Sequence, residues 1–150
     1  MDGIDQINAR ILRELSRDGR IANTELAARV GLSPSACLRR VQDLERRGVI
    51  AGYRARLDRG RLGLGFVAYV TVGLGRHSKA SQEAFERAMA RAAEVTECHN
   101  VTGAVEYLLR VEAADLAAYK RFHTDILGTA PDVVAITTYV VMGSPKDDRA

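Results

Sequence analysis

The chain has 150 residues, 47% of them hydrophobic, and a formal net charge of +3, which is enough apolar material for one domain or two small ones. No run approaches the roughly 18 apolar residues that a membrane helix needs, and the opening MDGIDQINAR has neither the basic start nor the apolar centre of a secretory signal, so a soluble, cytoplasmic protein is expected. The charge is unevenly shared: residues 1–62 carry 13 basic side chains, all arginine, against 8 acidic ones, a net of +5, whereas residues 63–150 carry 9 against 11.

Arginine offers a planar fork of donors suited to phosphate and guanine. The basic half therefore points to nucleic acid, although a solvated surface would carry the same charge. The two cysteines, Cys37 and Cys98, lie in no metal-like spacing and are expected to be reduced, buried, small hydrophobes. Cys98 and His99 are neighbours on one extended run, so their side chains should leave on opposite faces.

Taken in chain order, Asp5 to Arg17 places Ile7, Ile11, Leu12 and Leu15 on one helical face, and Gly19 follows as a stop. Asn23 is expected to cap a second helix, TELAARV, with Leu26, Ala27 and Val30 inward and Gly31 ending it. A third helix begins at Pro34 behind the cap residue Ser33 and runs to about Arg47, before Gly48. Helix, three-residue turn and helix is the layout of a helix-turn-helix.

Projected at about 100° per residue, the third helix should bury Leu38, Val41 and Leu44. Ser35, Ala36, Arg39, Asp43 and Arg46 then face outward, with Arg40 and Arg47 on the flank. Ser35 and Ala36 are small enough to let the helix start approach base edges, and Arg39 and Arg40 would reach guanine or phosphate. The next segment, VIAGYRARLD, alternates well enough for a strand with one basic face, a wing or a dimer arm. The glycine-rich DRGRLGLG, 58–65, is the best hinge. The expected domains are therefore 1–62, a DNA-binding head with its basic strand and hinge, and 63–150.

The second half predicts βαββαβ: strands over 66–74, 95–101, 105–111 and 133–142, with helices over 78–93 and 113–127. Phe85, Met89 and Ala92 share a face of the first helix, while Leu116, Tyr119 or Lys120, His123 and Leu127 come together on the second. Such a unit closes as a ferredoxin-like four-stranded antiparallel sheet with both helices on one face. The other face wants cover, and a second copy of the chain is the economical way to supply it. His77, His99 and His123 fall on a loop, a strand and a helix, without a nucleophile motif or phosphate loop. No enzyme is expected.

The stretches DGRIANTELAARVGLSPSACLRRVQDLERRGVIAGY, ECHNVTGAVEYLLRV and TTYVVM resemble the leucine-responsive and asparagine-responsive, or feast/famine, regulators (Lrp/AsnC). The resemblance covers nearly the whole chain. It implies an N-terminal head that binds double-stranded DNA and a C-terminal module that dimerises and assembles further, commonly into four dimers. It also implies an amino acid or related metabolite as effector where dimers meet, and no cofactor or metal.

The cap and outer face of the third helix make Ser33, Ser35, Ala36, Arg39, Arg40 and Arg46 the expected DNA-binding set, and the resemblance, carried over by position, supplies the effector site. Asn100, Val101, Thr102 and Gly103 become one wall of the effector site, with Glu106 as acceptor of its ammonium group. Leu116, Tyr139, Val140 and Val141 shape the region for its side chain. The family often reads Gly-Asp-Tyr-Asp or Gly-Asp-Phe-Asp across this turn, whereas here Gly103 is followed by Ala104, Val105 and Glu106. Glu106 could instead be a paired carboxylate at a subunit contact, and the protein an effector-independent organiser of DNA.

Overall fold

The computed structural model describes residues 4–147, so the outermost ends of both expected domains, 1–3 and 148–150, lie outside the described residues. The chain forms two units, one ending at Leu57 and the other spanning Asp58–Asp147.

In the first unit, Asp5 caps helix α1 (Gln6–Arg17) by accepting from the Asn8 backbone N–H at 2.7 Å, which satisfies one of the open donors of the first turn. Helix α2 (Asn23–Val30) starts behind Ala22 without a side-chain cap. Asn23 instead sends its Nδ2 to the Pro34 carbonyl, 2.8 Å away, and so ties the start of α2 to the start of the next helix. Gly31 takes the left-handed conformation (φ 75°) that ends α2, as expected.

Helix α3 (Pro34–Arg46) begins at the expected proline, with Ser33 Oγ accepting from the Ala36 N–H. The core of this unit is Ile11, Leu26, Ala27, Val30, Cys37 and Leu44, with Ile7, Leu12, Leu15, Val41 and Ile50 packed around it. The inward face of α3 is thus Cys37, Val41 and Leu44, spaced i, i+4, i+7. Leu38 is not part of it, contrary to expectation: it is 45% exposed. With Cys37 and Leu44 setting the centre of the buried stripe, Leu38 is rotated about 100° past Cys37 towards the open side.

Residues 51–57 form no strand. Alternation supplies a face but not a neighbour, and no ladder reaches this segment among the described residues. Tyr53 lies against Gly19, 3.4 Å from where a Cβ would stand there, and donates its hydroxyl to Glu45 at 2.8 Å.

The second unit has the order β1 (Phe66–Leu74), α4 (Lys79–Arg91), β2 (Val95–Asn100), β3 (Tyr107–Ala113), α5 (Leu116–Phe122, continued by one π turn, His123–Leu127) and β4 (Val133–Val140). The strands lie in the order β2-β3-β1-β4, all neighbours antiparallel, which is the expected ferredoxin-like arrangement. Ala68, Val70, Val72, Leu74, Tyr107, Leu109 and Val111 alternate onto the buried face, where Phe85 and Met89 of α4 and Tyr119, Phe122 and Leu127 of α5 pack on them. Phe85 and Tyr107 stack with ring centroids 4.6 Å apart.

Two expectations for this unit fail locally. Cys98 is exposed rather than buried, because β2 is an edge strand. Leu116 is 65% exposed at the start of α5; Phe122 joins Tyr119 and Leu127 in the core, and His123 stays beside them with its ring 6.0 Å from that of Tyr119.

Candidate functional site

The head presents α3 behind the turn Gly31–Leu32–Ser33. Ser33 is used as the cap and also lies 3.3 Å from Ser35 Oγ, so its oxygen serves the helix itself. Ser35 and Arg39 are exposed and Ala36 half-buried. Arg39 has no partner among the described residues.

The other cations of α3 are held by carboxylates. Arg46 pairs with Asp43, and Arg47 Nη1 lies 3.4 Å from the same carboxylate. Burial raises the Asp43 pKa, but hydrogen bonds from Arg47 and Arg46 outweigh it and hold the group below its ordinary value. Arg40, expected to reach guanine or phosphate, turns inward: its Nη1 donates to Asp5 Oδ2 at 2.6 Å and to Asn8 Oδ1 at 3.0 Å. Asp5 is held below its ordinary carboxyl pKa, first by the Asn8 N–H and then by Arg40. The expected DNA-binding residues therefore divide into Ser35, Ala36 and Arg39, which are open outward, and Ser33, Arg40 and Arg46, which are already engaged.

In the second unit, the question of why Glu106 stands beside a buried strand has a local answer. β3 begins at Tyr107 rather than at residue 105, so Glu106 ends the turn. Its backbone N–H donates to the Val72 carbonyl, and its own carbonyl accepts from Val101 N–H and Asn100 Nδ2. The register between β1 and β4 slips at Gly73/Leu74, and such a bulge leaves a ladder donor without its carbonyl. Glu106 Oε2 takes that donor, accepting from Leu74 N–H at 2.7 Å.

The other oxygen of Glu106 lies 3.0 Å from His77 Nδ1. Gly73 leaves room for the carboxylate: a Cβ there would stand 3.2 Å from the Ala135 Cβ and 3.7 Å from Glu106 Oε2. Gly103, at φ 127°, closes the turn in a conformation that other residues rarely adopt.

Asn100, Val101, Thr102, Gly103 and Glu106 thus gather at the start of β3. The remaining effector residues do not join them. Tyr139 pairs with Tyr69 and Val140 with Ala68, Val141 donates to the Val67 carbonyl, and Leu116 follows the far end of β3. Tyr139 stands level with Arg110 through Tyr69, four residues or about 13 Å along the strands from Glu106 and about 10 Å across two strand spacings, and Leu116 lies beyond the end of β3. Within one chain the expected set is two half-sites.

His77 and the Gly73/Leu74 bulge escaped the sequence because a slip in register leaves no mark on a hydrophobic pattern. Arg110 and Glu112 were missed too. They pair on the sheet face opposite the helices with side chains 6% and 4% exposed, Arg110 Nη1 also donates to Thr96 Oγ1 at 3.1 Å, and Arg59 Nε stands 3.2 Å from Glu112. Opposite charges two apart on a strand were the available signal.

A family model described as the Lrp/AsnC ligand binding domain matches residues 67–150, and one described as winged helix-turn-helix DNA-binding matches residues 4–51. The chain is 42% identical over 146 residues to the leucine-responsive regulatory protein of Escherichia coli (strain K12), covering 97% of this chain and 89% of that one. A transcriptional regulator from Neisseria meningitidis, solved as an L-Met complex, superposes with a TM-score of 0.93 at 34% identity, over 97% of this chain and 94% of the other. The feast or famine regulatory protein from M. tuberculosis, complexed with L-methionine, gives 0.84 at 32% identity, over 99% and 98%.

Proposed function

The chain belongs to the Lrp/AsnC family of DNA-binding transcription regulators, and from that premise we propose that it is a homo-oligomeric regulator whose grip on DNA is tuned by an amino acid bound between its copies. It is a regulator and not an enzyme. The DNA contact falls to α3 through Ser35, Ala36 and Arg39, entering the major groove. The 1–62 head binds DNA and the 63–150 module senses and assembles, the whole acting in the cytoplasm.

The observation that carries the effector reading is the separation of the two half-sites. Glu106 with the Gly103 turn supplies an acid and open backbone, while Leu116, Tyr139, Val140 and Val141 supply an apolar wall. A small zwitterion meets both only where one copy presents the first half and another copy the second. The sheet face opposite the helices, which carries Tyr69, Thr71 and Leu108 half-exposed and Tyr139 exposed, supports dimerisation through that face. Assembly of dimers into an octamer of four would then supply the contact between copies. The L-methionine complexes of two similar proteins favour an apolar amino acid. The ligand would act by population shift, favouring one assembly by its difference in affinity for the two.

The deciding measurement is a thermal shift of the full chain against the twenty amino acids, read beside its assembly size with and without each hit. A ligand that binds the native assembly must raise the melting temperature.

A second reading is specifically favoured by Glu106, whose two oxygens already have Leu74 N–H and His77 as partners. In that reading the carboxylate is structural and the protein organises DNA without an effector. Undiminished DNA binding with no thermal shift from any amino acid would select it.

A further inference from the structure

Leu38 is the one large apolar side chain on the outward side of α3 among the described residues, and it is 45% exposed. It sits three residues after Ser35 and four before Gln42, both exposed, so the three are surface neighbours along the helix. Arg39, next in sequence, is exposed with no partner among the described residues, whereas Arg40, Arg46 and Arg47 are held by Asp5 and Asp43. The reading face of α3 therefore reduces to one apolar group and one uncommitted guanidinium, set on a small, capped helix start.

We infer that Leu38 is a specificity-determining residue that contacts the C5-methyl group of a thymine in the major groove, close to a guanine taken by Arg39. This rests on the reading of α3 as the DNA-recognition helix. Thymine alone offers a methyl group in the major groove, and guanine alone pairs two acceptors there for a guanidinium fork. Successive Cα atoms stand about 3.8 Å apart and successive base pairs rise about 3.4 Å. Adjacent side chains leave the helix about 100° apart and a guanidinium reaches about two base-pair rises, so the site should contain a T and a G within about two base pairs of each other in each half.

The test uses the full chain and a random-duplex pool. Duplexes enriched by binding are remade with uracil in place of thymine, one position at a time, which removes the methyl group and nothing else. At one thymine per half-site, binding should fall about fourfold per methyl lost, the worth of burying one such group. Leu38→Ala should bind the thymine duplex more weakly by a similar factor and be indifferent to uracil.

Equal binding of thymine and uracil duplexes by the unaltered chain, or retained thymine preference in Leu38→Ala, overturns the inference while leaving the recognition helix in place. A change of assembly size in Leu38→Ala also overturns it, since Leu38 would then be covered by another copy. Retention of duplexes with no sequence enriched overturns this inference alone, and retention of no duplex overturns the DNA-binding reading with it.

Discussion

Arg40 reaches back 35 positions to Asp5, placing Nη1 2.6 Å from Oδ2, and so fastens the side of the recognition helix to the residue that caps α1. An arginine held in this way is a strut. Arg40→Ala should lower stability only slightly, as the loss of an exposed ion pair does, and leave the dependence of DNA binding on salt unchanged. Arg39→Ala, which loses a base contact, should weaken binding by about 1–3 kcal/mol across the salt range and relax the preference at its guanine. Anisotropy titrations from low to high salt separate the two, and a flattened slope in Arg40→Ala would give Arg40 back to the DNA.

The head should be sensitive to acid. Asp5 lies below its ordinary value of 3.8 through the Asn8 N–H and Arg40, and Glu14 below its ordinary 4.5 chiefly through its hydrogen bond from Arg29. Asp43 is lowered in the same direction. A carboxyl whose folded pKa is depressed contributes stability that is present above its unfolded value and lost as pH falls through the folded one. Helicity at 222 nm should therefore hold at pH 5 and decline below about pH 4, more shallowly in Arg29→Ala, which starts with less to lose. Equal acid midpoints and slopes in the two proteins would refute this.

Glu106→Ala should cost about 1–3 kcal/mol, because it leaves the Leu74 N–H at the bulge without its acceptor. Glu106→Gln keeps an oxygen for that donor and should melt close to the unaltered chain. If Glu106 receives an ammonium group, the glutamine variant nonetheless loses the thermal shift given by the effector. A glutamine variant that keeps the full shift would return Glu106 to a purely structural role.

Separating Arg110 from Glu112 should be the most damaging change to the sheet. Their side chains are 6% and 4% exposed, and removing one partner of a buried ion pair typically costs about 3–5 kcal/mol. Arg110→Met alone should show that loss in urea melts, and Arg110→Met with Glu112→Leu should recover most of it. A double variant no better than the single one would mean that Arg59, 3.2 Å from Glu112, or a second copy depends on the charges.

Local signals in the sequence were enough for most elements. Ser33-Pro34, Gly31 and Ser78 fall at the helix ends where their chemistry places them, and the β-branched, apolar run 66–74 became β1 without change. Failures came where a residue's neighbour is set by tertiary geometry. Leu38 and Leu116 look like core residues by type, yet the buried stripe is fixed by where other elements press. Asn23 has the chemistry of a cap, but the Pro34 carbonyl claimed its amide. The candidate site was legible as a set of positions and not as a shape: nothing in the pattern says that the Gly103 turn and Tyr139 fall on opposite sides of β1.

That separation has a quantitative consequence. An amino acid is shorter than the roughly 16 Å that the register leaves between Glu106 and Tyr139, so in the proposed site each binding event presupposes an encounter between chains. The apparent dissociation constant then contains the protein's own concentration. Raising expression would move the whole dose-response curve to lower nutrient levels with no change in any contact.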